Sequence, residues 1–578
     1  MAPTRPTRSS TARRACDSCK RRKVKCDSAD PCANCRISSL ACEYTGVNRN
    51  RGSPKVVPVS SNVGEFTLAT SSLPGDHEHQ SHLIVETGQP ALFESENKST
   101  SQELGPSQSL QPSGSVALSL ALGALRSADS AASAQAIRDA LLVSIRGVMP
   151  SMHITEIVNG CIRLFMQYIF PSTPIVHENT LRAEVSICFS DVSSATLFGV
   201  HDEQMRVARM RGFSLITAVC ASVASVMPES LLPYGHFVAS LFFRASQHML
   251  KCYEEYDLEH PNSSSLIIRD LHYTASQHIT GKKGVAFHVI GQATLIAQAL
   301  HLYSEQSIAQ HSTIEGQLLR LCFWHLYLSD KAAICHRTRP CVLHELLFSS
   351  KLTLHPLGEP MVPLLDVSNP LYGNSFEERL LVGYGLVVRL WSSSATLLVE
   401  MSNFDIAADD KEAVITKLTS LYFDFNSIMD DFPNWLQVSS IMSSLDDGAV
   451  RSFQNTSFWV QRCTLTMTYH CLRLMILQQC IACGLQRITG LSEQPVFVMM
   501  KKAELIQDFI QTMEDIPFLY HQIKGEPSVE RIRQVGTIIL EMIQNISGDP
   551  IKARLETYFG RLLDVLSKLN SKASEGLC

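Results

Sequence analysis

Cys16-Asp17-Ser18-Cys19-Lys20-Arg21-Arg22-Lys23-Val24-Lys25-Cys26 is the stretch that decides how this 578-residue chain is read, and Cys32-Ala33-Asn34-Cys35, with Cys42 after it, repeats its frame. Each half is spaced C-x2-C-x6-C, and residues 27–31 separate the halves. Such a repeat predicts two similar substructures, each with a short helix, related by a pseudo-twofold axis. A structural zinc site takes four ligands in a tetrahedron and favours thiolates, so three cysteines cannot close one. Two zincs need eight ligand positions, and six thiolates fill them when two sulfurs bridge both metals. Symmetry selects the same cysteine from each half, which we take as Cys16 and Cys32. The candidate ligands are therefore Cys16, Cys19, Cys26, Cys32, Cys35 and Cys42, with two zinc ions per chain as cofactor. Two zincs and six thiolates leave a net negative cluster, which the surrounding Lys and Arg offset.

The distribution of cysteine and charge supports a metal over a disulfide framework. Six of the 18 cysteines fall within residues 16–42. The basic N-terminus lacks the apolar run of a secretory signal, so a reducing compartment is expected and dense cysteines read as ligands. The segment has few apolar residues, Val24, Ile37, Leu40 and Tyr44. Its folding free energy must come mostly from metal, on the order of 10 kcal/mol per structural zinc. Residues 1–55 hold 13 Lys and Arg against 4 Asp and Glu, and the remainder holds 37 against 51. A basic tip on an acidic body points to a polyanionic partner for the tip alone.

Between Cys19 and Cys26 five of six residues are cationic: Lys20, Arg21, Arg22, Lys23 and Lys25. A short helix of this kind, pinned by metal at its ends, suits the major groove, where long side chains donate to guanine O6 and N7 and others hold phosphates. The same run, with Arg13 and Arg14, suits nuclear import. Arg49, Arg51 and Lys55 form a second basic group able to track a nucleic-acid backbone.

Residues 14–45 resemble the fungal zinc binuclear cluster DNA-binding domain. The basic first half fits the pattern C-x2-C-[RK]-x-[RK]-K-x-[RK]-C, and Pro31 resembles the loop proline that reverses the chain. The resemblance implies bridging by Cys16 and Cys32 and major-groove recognition of a CGG-type triplet in double-stranded DNA. It implies base contacts from Lys23 and the carbonyls of Arg22 and Lys23, and phosphate contacts from Lys20, Arg21 and Lys25. Relatives often dimerise through a coiled coil after the module, and a homodimer is the corresponding expectation, although residues 46–113 carry no sustained heptad.

Beyond the module, residues 1–15 and the Ser-, Gly-, Pro- and Gln-rich linker 46–114 read as disordered and flexible. Residues 115–578 read as an all-α domain. Apolar residues recur at helical spacing over 135–148, 154–170, 205–227, 237–253, 266–279, 285–302, 315–334, 376–401, 457–480, 496–513, 529–546 and 551–569. Pro150, Pro171, Pro228 and Pro433 fall between or at the ends of these runs. The best candidate for a membrane span, the fifteen uncharged residues 213–227, falls short of the roughly 20 apolar residues required, so no membrane partner is expected.

Phe323, Trp324, Tyr327 and Asp330, followed by Arg339-Pro340, resemble the fungal-specific transcription factor domain, with its FW-x-x-[YF]-x-x-D helix and following Arg-Pro element. Thr338 replaces the usual Gly, and His301 sits where Gly is common. Phe165, Tyr168, Pro171, Pro174 and His177 resemble the opening helix, so the likeness covers about 155–480. By their spacing the aromatic residues are core contacts, and Asp330 with Arg339 reads as an ion pair fixing the turn. Cys480 and Cys483 read as buried thiols, and His325, His336 and His344 near Cys335 and Cys341 lack zinc spacing. No phosphate loop, GxSxG or HExxH motif is present, so no catalysis is expected. The resulting expectation is a nuclear, sequence-specific regulator of RNA polymerase II genes, acting with the transcription machinery, with secondary-metabolite clusters as the favoured target. The alternative is a scaffold or chromatin-tethered protein whose helical domain carries the function.

Overall fold

The structure is a computed structural model that describes residues 15–22, 26–29, 31–32, 35–36, 41–43, 114–189, 197–345, 353–354, 361–404, 411–442, 448–545, 549–569 and 571. Nearly all of the expected disordered N-terminus and flexible linker lies outside them. The chain forms two compact units, Met1–Ser107 and Gln108–Cys578. In the first, helix α1 spans Asp17–Arg22.

The second unit is helical, and among the described residues it contains no strand. It opens with α2 (Gly114–Val148) and α3 (Ile154–Leu164), which runs on through a π-turn, Phe165–Ile169, and a 3-10 turn, Phe170–Ser172. Pro171 has no amide hydrogen to continue the helical ladder, so the helix ends there. Next come α4 (Glu178–Phe189), α5 (Glu203–Val226), α6 (Gly235–Glu259), α7 (Ser263–Thr280) and α8 (Lys283–Ala299). Short α9 (Glu305–Ile308) precedes α10 (Thr313–Cys335) and α11 (Phe376–Ser402). The remainder comprises α12 (Lys411–Ser427), α13 (Val438–Met442), α14 (Ala449–Ala482), α15 (Pro495–Asp515), α16 (Phe518–Lys524), α17 (Glu526–Asn545) and α18 (Asp549–Lys568).

Side-chain caps set several boundaries. Asp202 accepts from the Met205 amide at 3.0 Å to start α5. Asn262 and Ser265 form a reciprocal capping box at the start of α7. Helix α5 is the centre of the unit. From Gly212 to Ala224 every residue is buried, because α6, α7, α4 and α3 all pack on it. A helix apolar on all sides must be covered on all sides. This corrects the expectation that no segment reaches membrane-spanning length. Helices α5 and α11 are both long and apolar enough to cross a membrane, but 83% and 61% of their most apolar windows are buried in the protein core.

The aromatic group on α10 packs as its spacing implies. Phe323 is fully buried and Tyr327 nearly so. Trp324 lies edge-on to Tyr327 at 5.2 Å and donates through Nε1 to the Thr353 carbonyl at 3.1 Å. Asp330 has no exposed surface. It pairs with Arg339 and accepts from the amides of Val342 at 3.0 Å and Leu343 at 2.9 Å. The carboxylate thereby pins the chain reversal after α10.

His301 follows α8 with φ at 52°. Its amide donates to the Gln298 carbonyl and the Leu302 amide donates to that of Ala297, the paired bonds of a Schellman terminator. An L side chain costs about 1–2 kcal/mol in this left-handed conformation. His301→Gly is therefore expected to stabilise the protein by about 1 kcal/mol net of glycine's unfolded-state entropy, measured by urea denaturation. A loss of stability would mean that the imidazole's edge contact with Tyr303 outweighs the strain.

Candidate metal centre and nucleic-acid interface

In the N-terminal unit the cysteines themselves make the core. Cys16, Cys19, Cys32 and Cys35 are fully buried, and Cys26 and Cys42 pack against them. All six are free thiols. Their sulfurs form two groups, Cys16, Cys19, Cys26, Cys32 and Cys16, Cys32, Cys35, Cys42, and within each group every sulfur lies within 4.8 Å of the others. Cys16 and Cys32 belong to both, with their sulfurs 3.8 Å apart. Cys16 to Cys35 and Cys19 to Cys32 are each 3.5 Å. A tetrahedron of sulfurs about 2.3 Å from a zinc has edges of about 3.8 Å, whereas a disulfide requires about 2.0 Å. The thiols are thus spaced for a shared metal and not for oxidation.

The backbone repeats the same contacts in both halves. The Lys20 amide donates to the Cys16 carbonyl and the Arg36 amide to that of Cys32, both at 2.9 Å. The amides of Cys19 and Cys35 each reach a sulfur at 3.4 Å, Cys16 and Cys32 respectively. The amides of Cys16 and Cys32 point at Cys26 and Cys42, at 3.5 and 3.2 Å. Burial works against ionising Cys16, but the donors from Cys19, Cys35 and Cys32 outweigh it and bring the thiol down to about 6. For Cys32 the Cys35 amide lowers the pKa against burial. Burial raises Cys19 and Cys35.

The ends of the module meet. The Asp17 amide donates to the Glu43 carbonyl at 2.8 Å, and Ser18 Oγ donates to the Ala41 carbonyl at 2.7 Å. Helix α1 carries Lys20 and Arg21 outward, both exposed, with Lys20 3.4 Å from Asp17. Arg22 ends the helix, while Lys23, Lys25, Arg49 and Arg51 lie outside the described residues. One cation escaped the sequence reading. Arg36 is exposed and follows Cys35 as Lys20 follows Cys19, with the matching backbone bond. The repeat itself was the signal that marks it.

Residues 14–51 match the family model of the fungal Zn(2)-Cys(6) binuclear cluster domain, a module that binds two zinc ions. Over its N-terminal region the chain is 44% identical across 55 residues to a maltose fermentation regulatory protein of Saccharomyces cerevisiae, a match covering 10% of this chain and 11% of that protein. It is 47% identical across 53 residues to an arabinolytic transcriptional activator of Emericella nidulans, covering 8% of this chain and 6% of the activator. An aspyridones cluster regulator of the same organism is 40% identical across 50 residues, covering 9% and 7%. The similarity thus spans only a small fraction of these relatives' own length. No solved structure matches the chain.

Proposed function

We propose that the chain is a nuclear, sequence-specific DNA-binding regulator of RNA polymerase II genes. The observation that carries this reading is the pair of four-sulfur groups sharing Cys16 and Cys32 beneath a helix that presents Lys20 and Arg21 to solvent. In this reading Cys16, Cys19, Cys26 and Cys32 hold one zinc, Cys16, Cys32, Cys35 and Cys42 hold the other, and the halves are related by a pseudo-twofold axis. The cationic stretch enters the major groove at CGG-type triplets. Lys23 and the carbonyls of Arg22 and Lys23 read bases, while Lys20, Arg21, Lys25, Arg49 and Arg51 hold phosphates. The matched relatives are named as a maltose fermentation regulatory protein, an arabinolytic transcriptional activator and an aspyridones cluster regulator, which supports a pathway-specific role, and we favour a secondary-metabolite cluster as the target. The helical unit, as a fungal-specific transcription factor domain over about 155–480, conveys the bound state to the transcription machinery. A homodimer would bind paired half-sites.

Lys23→Ala is expected to weaken binding to the preferred duplex by about 1–3 kcal/mol, with little change on scrambled DNA. Arg51→Ala should instead lower affinity for every sequence and reduce the salt slope by about 1. Fluorescence anisotropy across a salt series separates them. An equal loss on all sequences for Lys23→Ala would remove its base-reading role. A genome-wide binding map then gives motif, half-site spacing and target genes together.

A further inference from the structure

The helical unit holds a half-open cavity of about 360 Å³ between α5, α7, α8, α10, α11, α16 and α17. That is within the range of small-molecule sites, roughly 300–1,000 Å³. Phe287, Ile290, Leu328, Val387 and Trp391 give the lining apolar surface.

The charges on the lining do not balance locally. None of its three carboxylates pairs with Lys524 or Arg531. Asp270 lies 3.3 Å from His325 and Glu530 lies 3.4 Å from Lys283. Glu526 lies 3.8 Å from Arg533 and accepts from the Ser571 hydroxyl. Arg339 is held by Asp330. Two cations remain, Lys524 at the end of α16 and Arg531 on α17. Lys524 Nζ donates to Ser172 Oγ at 2.8 Å, and Arg531 Nη1 donates to the Pro527 carbonyl at 3.1 Å. Among the described residues neither makes an ion pair. Arg531 is 6% exposed, and its Nε has no hydrogen-bond partner among them. The Ser222 hydroxyl and His336 Nδ1, which also line the cavity, are buried without partners in the same sense. Burial pulls the Lys524 ammonium down to about 8, so it keeps its proton at pH 7. A buried arginine and a half-buried lysine beside it, neither in an ion pair among the described residues, are costly unless an anion joins them.

We propose that this cavity binds a small organic anion, whose charged group is held by Lys524 and Arg531 and whose ring or chain lies against Trp391, Val387 and Leu328. The inference rests on the helical unit alone and stands whether or not the N-terminal module reads DNA as proposed.

The test is calorimetric titration of the full chain with 1-naphthoate, its neutral counterpart 1-naphthamide, and inorganic phosphate. Saturable binding of naphthoate is expected, with naphthamide and phosphate each weaker by at least about ten-fold, as loss of a charged contact or of the apolar body demands. Lys524→Met is expected to weaken naphthoate at least about ten-fold. It should also raise the melting temperature of the unliganded protein by about 2 °C or more, because it removes an uncompensated charge. Arg531→Met is expected to weaken naphthoate similarly, and if it fails to fold, Lys524→Met decides alone. Equal affinity for naphthoate and naphthamide, absence of naphthoate binding, unchanged naphthoate affinity in Lys524→Met, or a lowered melting temperature in that variant would each overturn the proposal.

Discussion

Serine in place of Cys16 is expected to strip the N-terminal module of its two-zinc content and to reduce specific DNA binding to the non-specific level. The Cys16 sulfur belongs to both four-sulfur groups, so its loss removes a ligand from each site at once. Cys26→Ser removes a ligand from one site and is expected to be milder. Among the described residues of the module, the buried members of its core cluster are all cysteines. Removing metal therefore removes folding free energy on the order of 10 kcal/mol per zinc. The loss of affinity on the preferred duplex should be about 1,000-fold or more, the usual gap between specific and non-specific binding. Zinc per chain by atomic emission, with anisotropy on specific and scrambled duplexes, measures both effects. Excess chelator should reproduce the Cys16→Ser phenotype in the unmodified protein. A Cys16→Ser protein that still carries two zincs would end the shared-sulfur assignment.

Asp257→Ala is expected to destabilise the helical unit by about 3–5 kcal/mol, measured by chemical denaturation. Asp257 has no exposed surface and serves two arginines. Arg269 Nη1 lies 2.7 Å from its Oδ2, and Arg211 Nε and Nη2 lie 2.9 and 2.8 Å from Oδ1. Ser265 Oγ donates to Oδ1 at 2.7 Å. Arg269 is 1% exposed, and its Nε and Nη2 already lack partners among the described residues. Taking away the carboxylate would leave this guanidinium buried and unpaired. The effect should be confined to stability, with zinc content and DNA affinity of the folded fraction unchanged. A loss below about 1 kcal/mol would show that water reaches the arginines.

The two ion-pair centres mark what could be read from sequence. Asp330 and Arg339 are nine residues apart within one recognisable pattern, and both the pairing and the turn it fixes were legible. Asp257 reaches back to Arg211, 46 residues earlier on another helix, and no local spacing announces that. The same holds for Glu178, a fully buried carboxylate that binds Arg182 beside it but also accepts from Tyr372 Oη at 2.7 Å and the Asp366 amide at 3.1 Å. Helix α4, which starts at Glu178, is missing from the periodic runs although its buried Leu181, Val185, Cys188 and Phe189 recur at helical spacing. The run expected to end at Tyr253 ends where the backbone leaves helical geometry, at φ −136°, although α6 resumes beyond it to Glu259. The cavity could not be foreseen, because its walls come from helices scattered between residues 168 and 531. The six sulfurs were legible because ligand spacing is a local property of the chain.

The bond from the Asp17 amide to the Glu43 carbonyl has a topological consequence. It brings entry and exit of the cysteine module together at one point. A segment whose ends meet can be transplanted into a surface loop of an unrelated host without prying the host's loop ends apart. On the proposed reading, swapping it between regulators would exchange the address that is read while leaving the receiving scaffold in place.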